Sequence, residues 1–323
     1  MSEYFDAEHE RHVAALQGSF TGRTEWPTWL LIVAVYASWL TPLYLLHKGL
    51  IHLGVATPAL ILATAWYMSL QHELLHGHPS RHVWLNKLLG YAPLAVWFPY
   101  TLYRDSHLQH HRDEDLTMPG VDPESNYVHP DTWRTMSSFS RGLWHIRKTF
   151  LGRFVIGPPM AVASMIGQAF GEWRRGDWRY LPMWSAHGAL LAAILVVVSR
   201  WAGIPVMFYL FAIAWPALSI AMIRSFYEHR SAPESKARIT INEAGPLMRL
   251  LFLNNNFHLV HHDIPRLPWY WLPTVYRMRE PEYVEKCGGF RIRGGYRELL
   301  VRYAFRWTDA PVHPVAVRQG DAC

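Results

Sequence analysis

The chain has 323 residues, half of them apolar, with a formal net charge of +6 and only 17% charged residues. That charged share lies below the roughly 25% of soluble domains, and mean hydropathy is close to neutral, so apolar segments must alternate with polar ones. Cys287 and Cys323 are the only cysteines, which excludes a disulfide framework and a thiolate metal cluster and leaves imidazole as the metal-binding group.

Residues 1–25 begin acidic and polar, as MSEYFDAEHERH, unlike a secretory signal. They read as a polar, solvated N-terminal arm with His9 and His12 on its surface. From Trp26 to Leu46 the sequence is apolar and uncharged, long enough to span a bilayer at 1.5 Å per residue. A short connection leads to a second such run, Leu53–Leu70, and the two predict a transmembrane hairpin at about 26–46/53–70. His72 and His76 follow in QHELLHGH. Leu88–Tyr103 is shorter, broken by Pro93 and Pro99 and rich in aromatics, which suits an interfacial or re-entrant segment. Next comes HLQHH, with His107, His110 and His111. Phe154–Phe170 carries a Gly-Pro-Pro break and reads as a membrane-surface or half-inserted helix. Met183–Ser199 and Ile204–Ile223 predict a second hairpin, at about 183–199/204–223. Beyond it lie His229 and then His258, His261 and His262 in FHLVHHDIPRLPWYWL. The fold class is thus an all-α integral membrane protein. The arm at 1–25 precedes one membrane domain, 26–323, whose histidine-rich cap comprises 71–182 and 224–323.

Topology and charge support one arrangement. Two complete hairpins leave every histidine cluster after an even number of crossings, and so on one face of the membrane. Only Lys48 and Arg200 lie in the hairpin turns, and the positive-inside rule then puts the histidine face in the cytoplasm. The cytoplasmic arginines Arg174, Arg175, Arg179, Arg277, Arg279, Arg291 and Arg293 would attract anionic headgroups or dock an acidic electron donor.

In a chain with 19 histidines a single HxxHH can arise by accident, but two copies are a far stronger signal. On a helix, residues three and four apart share a face, so each cluster projects two or three imidazoles one way. Zinc rarely takes more than four ligands, and eight or nine histidines therefore imply two metals, with iron favoured because an imidazole-bound pair can bind and reduce dioxygen.

In these three clusters the chain resembles the integral-membrane fatty acid desaturase family, the histidine-box di-iron superfamily that also contains hydroxylases and ketolases. The signature of HxxxH or HxxxxH followed by two HxxHH is matched by His72–His76, by His107–His110–His111 and by His258–His261–His262. The likeness covers roughly 30–312. FYEHR, Phe226–Arg230, matches the lone histidine that relatives carry after the last span, and makes His229 the ninth ligand. The resemblance implies two iron ions held by these nine histidines, dioxygen as co-substrate, and no separate catalytic side chain or organic cofactor site. It implies insertion of a double bond into a fatty-acyl or similar aliphatic chain; hydroxylation, carotenoid ketolation and desaturation of a small amino-acid-derived product remain open. Electrons would come from a separate donor, ferredoxin-like or cytochrome b5-like with its reductase. Membrane lipid is a partner and nucleic acid is not.

Glu73, Asp105, Asp113, Glu228 and Asp263 are candidate carboxylates behind the ligands, since metal-bound histidine commonly donates its other N–H to one. Some relatives have Asn where this chain has Ser225, and Asn254, Asn255 and Asn256 would order the surroundings instead. His78 faces a different side of a continuing helix, but would reach the site if the helix ends at Gly77; His47, His52, His82, His129, His145, His187 and His313 read as structural. Trp269–Tyr270–Trp271 suits an interfacial belt or the lining of a substrate path. Two other classes are weighed. His72-Glu73-Leu74-Leu75-His76 fits the HExxH of a zinc metalloprotease, which leaves both HxxHH boxes unexplained. A metal or proton transporter would place ionisable groups within its spans, where only His187 is found.

Overall fold

The computed structural model describes residues 2–111 and 115–314. These sort into two compact units. One holds the chain up to Glu25, Asp105–Ile156 and the chain from Ile223 onward; the other holds Trp26–Arg104 and Gly157–Met222. The structure is mostly helical, and its one described sheet is a parallel pair, Ile241–Asn242 beside Arg291–Ile292.

The second unit contains four helices long and apolar enough to cross a membrane: Trp26–His47, Leu53–Leu75, Leu181–Arg200 and Val206–Arg224, which runs on two residues past it. The shortest has 19 residues, about 28 Å at 1.5 Å per residue, close to the hydrocarbon thickness of a bilayer. The second helix runs on past Leu70 through Gln71, His72 and Glu73. Those polar residues do not end it because they are buried, and Gln71 Nε2 donates to the Gly90 carbonyl at 2.8 Å.

The 88–103 segment is not a span. A helix over Val83–Gly90 gives way to irregular chain until a new helix starts at Tyr100. Irregular backbone among apolar helices requires partners for its carbonyls, and side chains of the long helices supply them. The Tyr67 hydroxyl lies 2.8 Å from the Gly90 oxygen and 2.6 Å from that of Ala92. The Tyr209 hydroxyl donates to Leu94 at 2.9 Å while accepting from the Trp39 indole at 3.1 Å. His187 Nε2 lies 2.8 Å from the Val96 oxygen, so this histidine of the third long helix is a structural partner of the irregular chain. Tyr209 also opens a π-helical stretch, Tyr209–Ala214, in the fourth helix. The 154–170 region forms a short helix, Phe150–Val155, and an 18-residue one, Gly157–Arg174, outside the four candidate spans.

In the first unit the N-terminal residues are not a solvated arm. Asp6 caps the helix Ala7–Gly18, accepting from the His9 amide at 2.8 Å. His9 and Val13, four residues apart on one face, are buried while His12 is exposed. The expectation of a surface His9 therefore fails: its ring is enclosed by Tyr4, Phe5 and Tyr283 at centroid distances of 5.8, 5.3 and 6.0 Å. The Glu3 amide donates to the Asp263 carbonyl at 2.8 Å, and its carboxylate pairs with Lys236 and Lys286 at 2.8 and 3.0 Å. Cys287 is a buried free cysteine, and Cys323 lies outside the described residues.

Candidate metal centre

Seven of the nine predicted ligands meet inside the first unit. His107 and His110 lie in the last turn of the helix Tyr100–His110, and His111 follows directly. His258, His261 and His262 occupy the six-residue helix His258–Asp263. His229 comes from irregular chain fixed by a bridge to Ile239. Tyr227, Leu253 and Asn254, beside these ligands, have φ of +60°, +49° and +55°, a region costly for residues with side chains and held only where the surroundings impose it.

The two HxxHH boxes divide their histidines in opposite ways. From the later box His258 and His262 turn to His229, with Nε2–Nε2 distances of 3.1 Å between them and 3.0 Å from His258 to His229. From the earlier box only His110 joins this group, 3.2 Å from His229. His107 and His111 instead face one another at 3.1 Å, and His261 reaches His111 at 3.0 Å. His111 and His262 stack at 4.2 Å between the groups. The remaining pair, His72 and His76, lies in the other unit with ring centroids 4.8 Å apart. His76 caps the helix that carries His72, and His78 is buried just beyond it.

The quartet His110, His229, His258 and His262 fits a metal ion. Each offers one ring nitrogen, all within 4.8 Å of one another. Ligands about 2.0–2.1 Å from a common metal stand about 3.0–3.4 Å apart, which is the spacing of the three close Nε2 pairs. Without a cation, that many lone pairs converging in a buried space would repel. Three of the four rings are also poised in the basic form that metals bind. Burial pushes His258 and His262 well below the usual histidine range and His229 down to about 3, with neighbouring imidazoles acting the same way. His111 is lowered well below it by burial and by His107. Burial also lowers His107, whereas at His110 burial is outweighed by Asp122 and Glu124 and the net shift is upward.

Carboxylates fix two of these rings. Asp122 Oδ1 lies 2.8 Å from His110 Nδ1, and Glu124 Oε1 3.0 Å from His107 Nδ1. A carboxylate at Nδ1 keeps the proton there and leaves Nε2 bare for a metal. Burial would raise both acids, but the facing histidines hold both below their usual range. His258 Nδ1 has Asn255 Oδ1 at 3.4 Å and Glu228 Oε1 at 3.8 Å; burial lifts Glu228 to about 7.

Comparison with known proteins decides the kinship. Residues 49–294 match the family model for fatty acid desaturase. The chain belongs to the fatty acid desaturase family. It is 25% identical over 199 residues to the mouse sphingolipid delta(4)-desaturase/C4-monooxygenase DES2, covering 60% of this chain and 54% of that protein. The human protein of that name is 26% identical over 224 residues, covering 66% and 61%. The chicken sphingolipid delta(4)-desaturase DES1 is 23% identical over 224 residues, covering 66% and 61%. The matched chain therefore spans less than two thirds of the length of these relatives.

Of the carboxylates anticipated behind the ligands, Glu228 stands beside His258, and Asn255 joins it. Glu73 is 4.0 Å from His72 Nδ1, beyond a hydrogen bond. Asp105 is exposed, and Asp113 lies outside the described residues. Asp263 turns away from the desaturase boxes to bind Lys286 and Lys236 at 2.7 and 3.2 Å. It follows His262 in sequence, but one helical step turns it about 100° from that ligand. Sequence reading missed Asp122 and Glu124. The one local signal was Asp-Pro-Glu, two carboxylates flanking a proline, in a polar loop soon after HLQHH. Ser225 is engaged elsewhere, accepting from Arg153 at 3.0 Å.

Proposed function

We propose that the protein is a membrane-bound oxidoreductase that introduces a double bond into a long aliphatic chain. Its nine ligands are His72, His76, His107, His110, His111, His229, His258, His261 and His262, and they hold two iron ions. The observation that carries this reading is the four-histidine cluster with the His110 ring held by a carboxylate, in a chain whose matched region takes in all three histidine boxes. When bound, the two irons supply the redox chemistry that activates dioxygen. The reaction balances as –CH2–CH2– with O2, two electrons and two protons giving –CH=CH– and two waters. The protein's own share is to present bare Nε2 atoms, to hold their Nδ1 protons on Asp122, Glu124 and Asn255, and to keep bulk water from a buried centre. No side chain acts as a nucleophile.

The chain works as one membrane domain whose histidine-bearing parts form a cytoplasmic cap, by the positive-inside argument. Its electron donor is a separate protein, ferredoxin-like or cytochrome b5-like. Sphingolipid desaturases among its relatives favour an acyl or sphingoid chain as substrate. One of those names also includes C4-monooxygenase activity, which favours hydroxylation at the same centre as a second reading.

The test is metal content per chain in detergent-purified protein from iron-supplemented cells, followed by turnover with an electron donor system, oxygen, and ceramide or fatty-acyl substrates. Two metals per chain and a product lighter by two hydrogens support desaturation; a product heavier by one oxygen supports the second reading. Metal number carries more weight than identity, because zinc outcompetes ferrous iron at nitrogen sites. One zinc per chain that depends on His72 and is indifferent to His107 and His261 would refute the proposal in favour of a metalloprotease.

A further inference from the structure

The C-terminal end of the described chain reaches the metal centre through one imidazole. Residues 311–313 lie beside Val128: its amide donates to the Pro311 carbonyl at 2.8 Å, and the His313 amide donates back to the Val128 carbonyl at 3.2 Å. Asp309 anchors the same stretch, bound by Lys148 at 2.7 Å and by the Tyr127 hydroxyl. This places His313, wholly buried, with Nε2 2.9 Å from the Thr117 hydroxyl. The Thr117 amide donates to Asp122 Oδ2 at 2.8 Å, and Asp122 Oδ1 holds His110 at 2.8 Å. Three hydrogen-bond links thus run from His313 to the proposed ligand His110, and His313, Thr117, Asp122 and His110 are all at most 4% exposed.

A second observation shows that the middle link is held under constraint. Thr117 has φ of +74°, and a β-branched residue pays about 1–3 kcal/mol to stay in that region. That conformation aims its amide at Asp122. Its side chain is tied to His313 and its carbonyl accepts from Ser125 Oγ at 2.5 Å.

We infer that His313 is a positioning residue for the metal centre, acting through Thr117 and Asp122 to fix the ring of His110. The inference rests on the proposed metal-binding role of His110. It assigns work to a histidine that has no partner at ligand spacing in the sequence.

The experiment compares metal release from full-length wild type, His313→Ala, His313→Gln and Thr117→Val, loaded with ferrous iron in detergent and challenged with a chelator well below the melting temperature. Loss of a ring-orienting partner weakens metal binding about 10–100-fold, and a link one step further back is expected near the low end. His313→Ala and Thr117→Val should each speed release about tenfold with the same initial metal content. His313→Gln, whose amide nitrogen reaches the position of Nε2, should restore release to within about threefold of wild type. Pairing His313→Ala with Asp122→Asn should add nothing to Asp122→Asn alone, because both act through one path. A fully additive pair, or unchanged release in variants that merely melt at lower temperature, would overturn the inference while leaving the metal centre standing. A wild-type chain that takes up no metal would overturn both.

Discussion

Replacing Asp122 by Asn isolates the carboxylate that faces His110. The side chain accepts three hydrogen bonds: from His110 Nδ1 and the Glu124 amide at Oδ1, and from the Thr117 amide at Oδ2, each 2.8 Å. An amide has one accepting oxygen, so at least one of these contacts becomes donor facing donor. The others fall from charge-assisted bonds worth about 1.5–3 kcal/mol to neutral ones worth about 0.5–1.5 kcal/mol. His110 would lose both its fixed tautomer and its negative partner, and a change behind a ligand of this kind costs about 10–100-fold in metal affinity, or roughly 1.4–2.7 kcal/mol. The assay is chelator competition on detergent-solubilised protein, with Asp131→Asn as control. That carboxylate pairs with Arg134 at an exposed site and should shift nothing by more than about 0.5 kcal/mol. Equal metal affinity in Asp122→Asn and wild type would refute the reasoning, since the ring would then be held by something other than the carboxylate.

Further outcomes follow from other parts of the molecule. His229→Ala should lower metal content by one ion per chain without changing membrane insertion, as read by metal analysis of solubilised membranes; an unchanged count removes His229 from the ligand set. Gly90→Ala would put a methyl 2.7 Å from the Tyr100 ring, an overpacking worth about 1–3 kcal/mol, visible as a lower melting temperature. His9→Ala should cost about 1–3 kcal/mol in stability by emptying its aromatic enclosure, whereas a surface histidine would cost nothing measurable. Acid should weaken the C-terminal contact. Burial and the nearby cations Arg238 and Lys148 lower His313 to about 4 against the opposing pull of Asp309. The unfolded chain therefore binds the extra proton first, and stability falls as pH drops from about 6.5 towards 4, by about 1–2 kcal/mol after solvent screening. His313→Gln should flatten that part of the pH–stability curve, and an unaltered curve would count against a buried neutral ring.

What was legible in the sequence was local. The long helices announce themselves because a span needs only length and absence of charge. The boxes do so because three- and four-residue spacing sets a shared face before any tertiary contact forms. Which histidine cluster each ring joins was not legible, since His107 and His111 part from His110 through tertiary packing. Asp122 and Glu124 escaped notice because loop packing alone brings them to HLQHH. Asp263 misled for the converse reason: it adjoins the proposed ligand His262 in sequence, yet two lysines draw it away. His9 read as a surface residue, and the link from His313 to the cluster went unseen, because their partners, Tyr283 and Thr117, lie about 200 residues or more away along the chain.

The contacts of the first residues set an order of events during synthesis. Glu3 is synthesised 283 residues ahead of its partner Lys286. At about 5–20 residues per second that interval is roughly 15–60 s. For all that time Phe5 and His9 have no Tyr283 to pack against, and Asp6 has no Arg279 to bind. The long apolar helices are complete before this happens. Closure of the amino-terminal helix over the chain next to His262 therefore follows the synthesis of those helices.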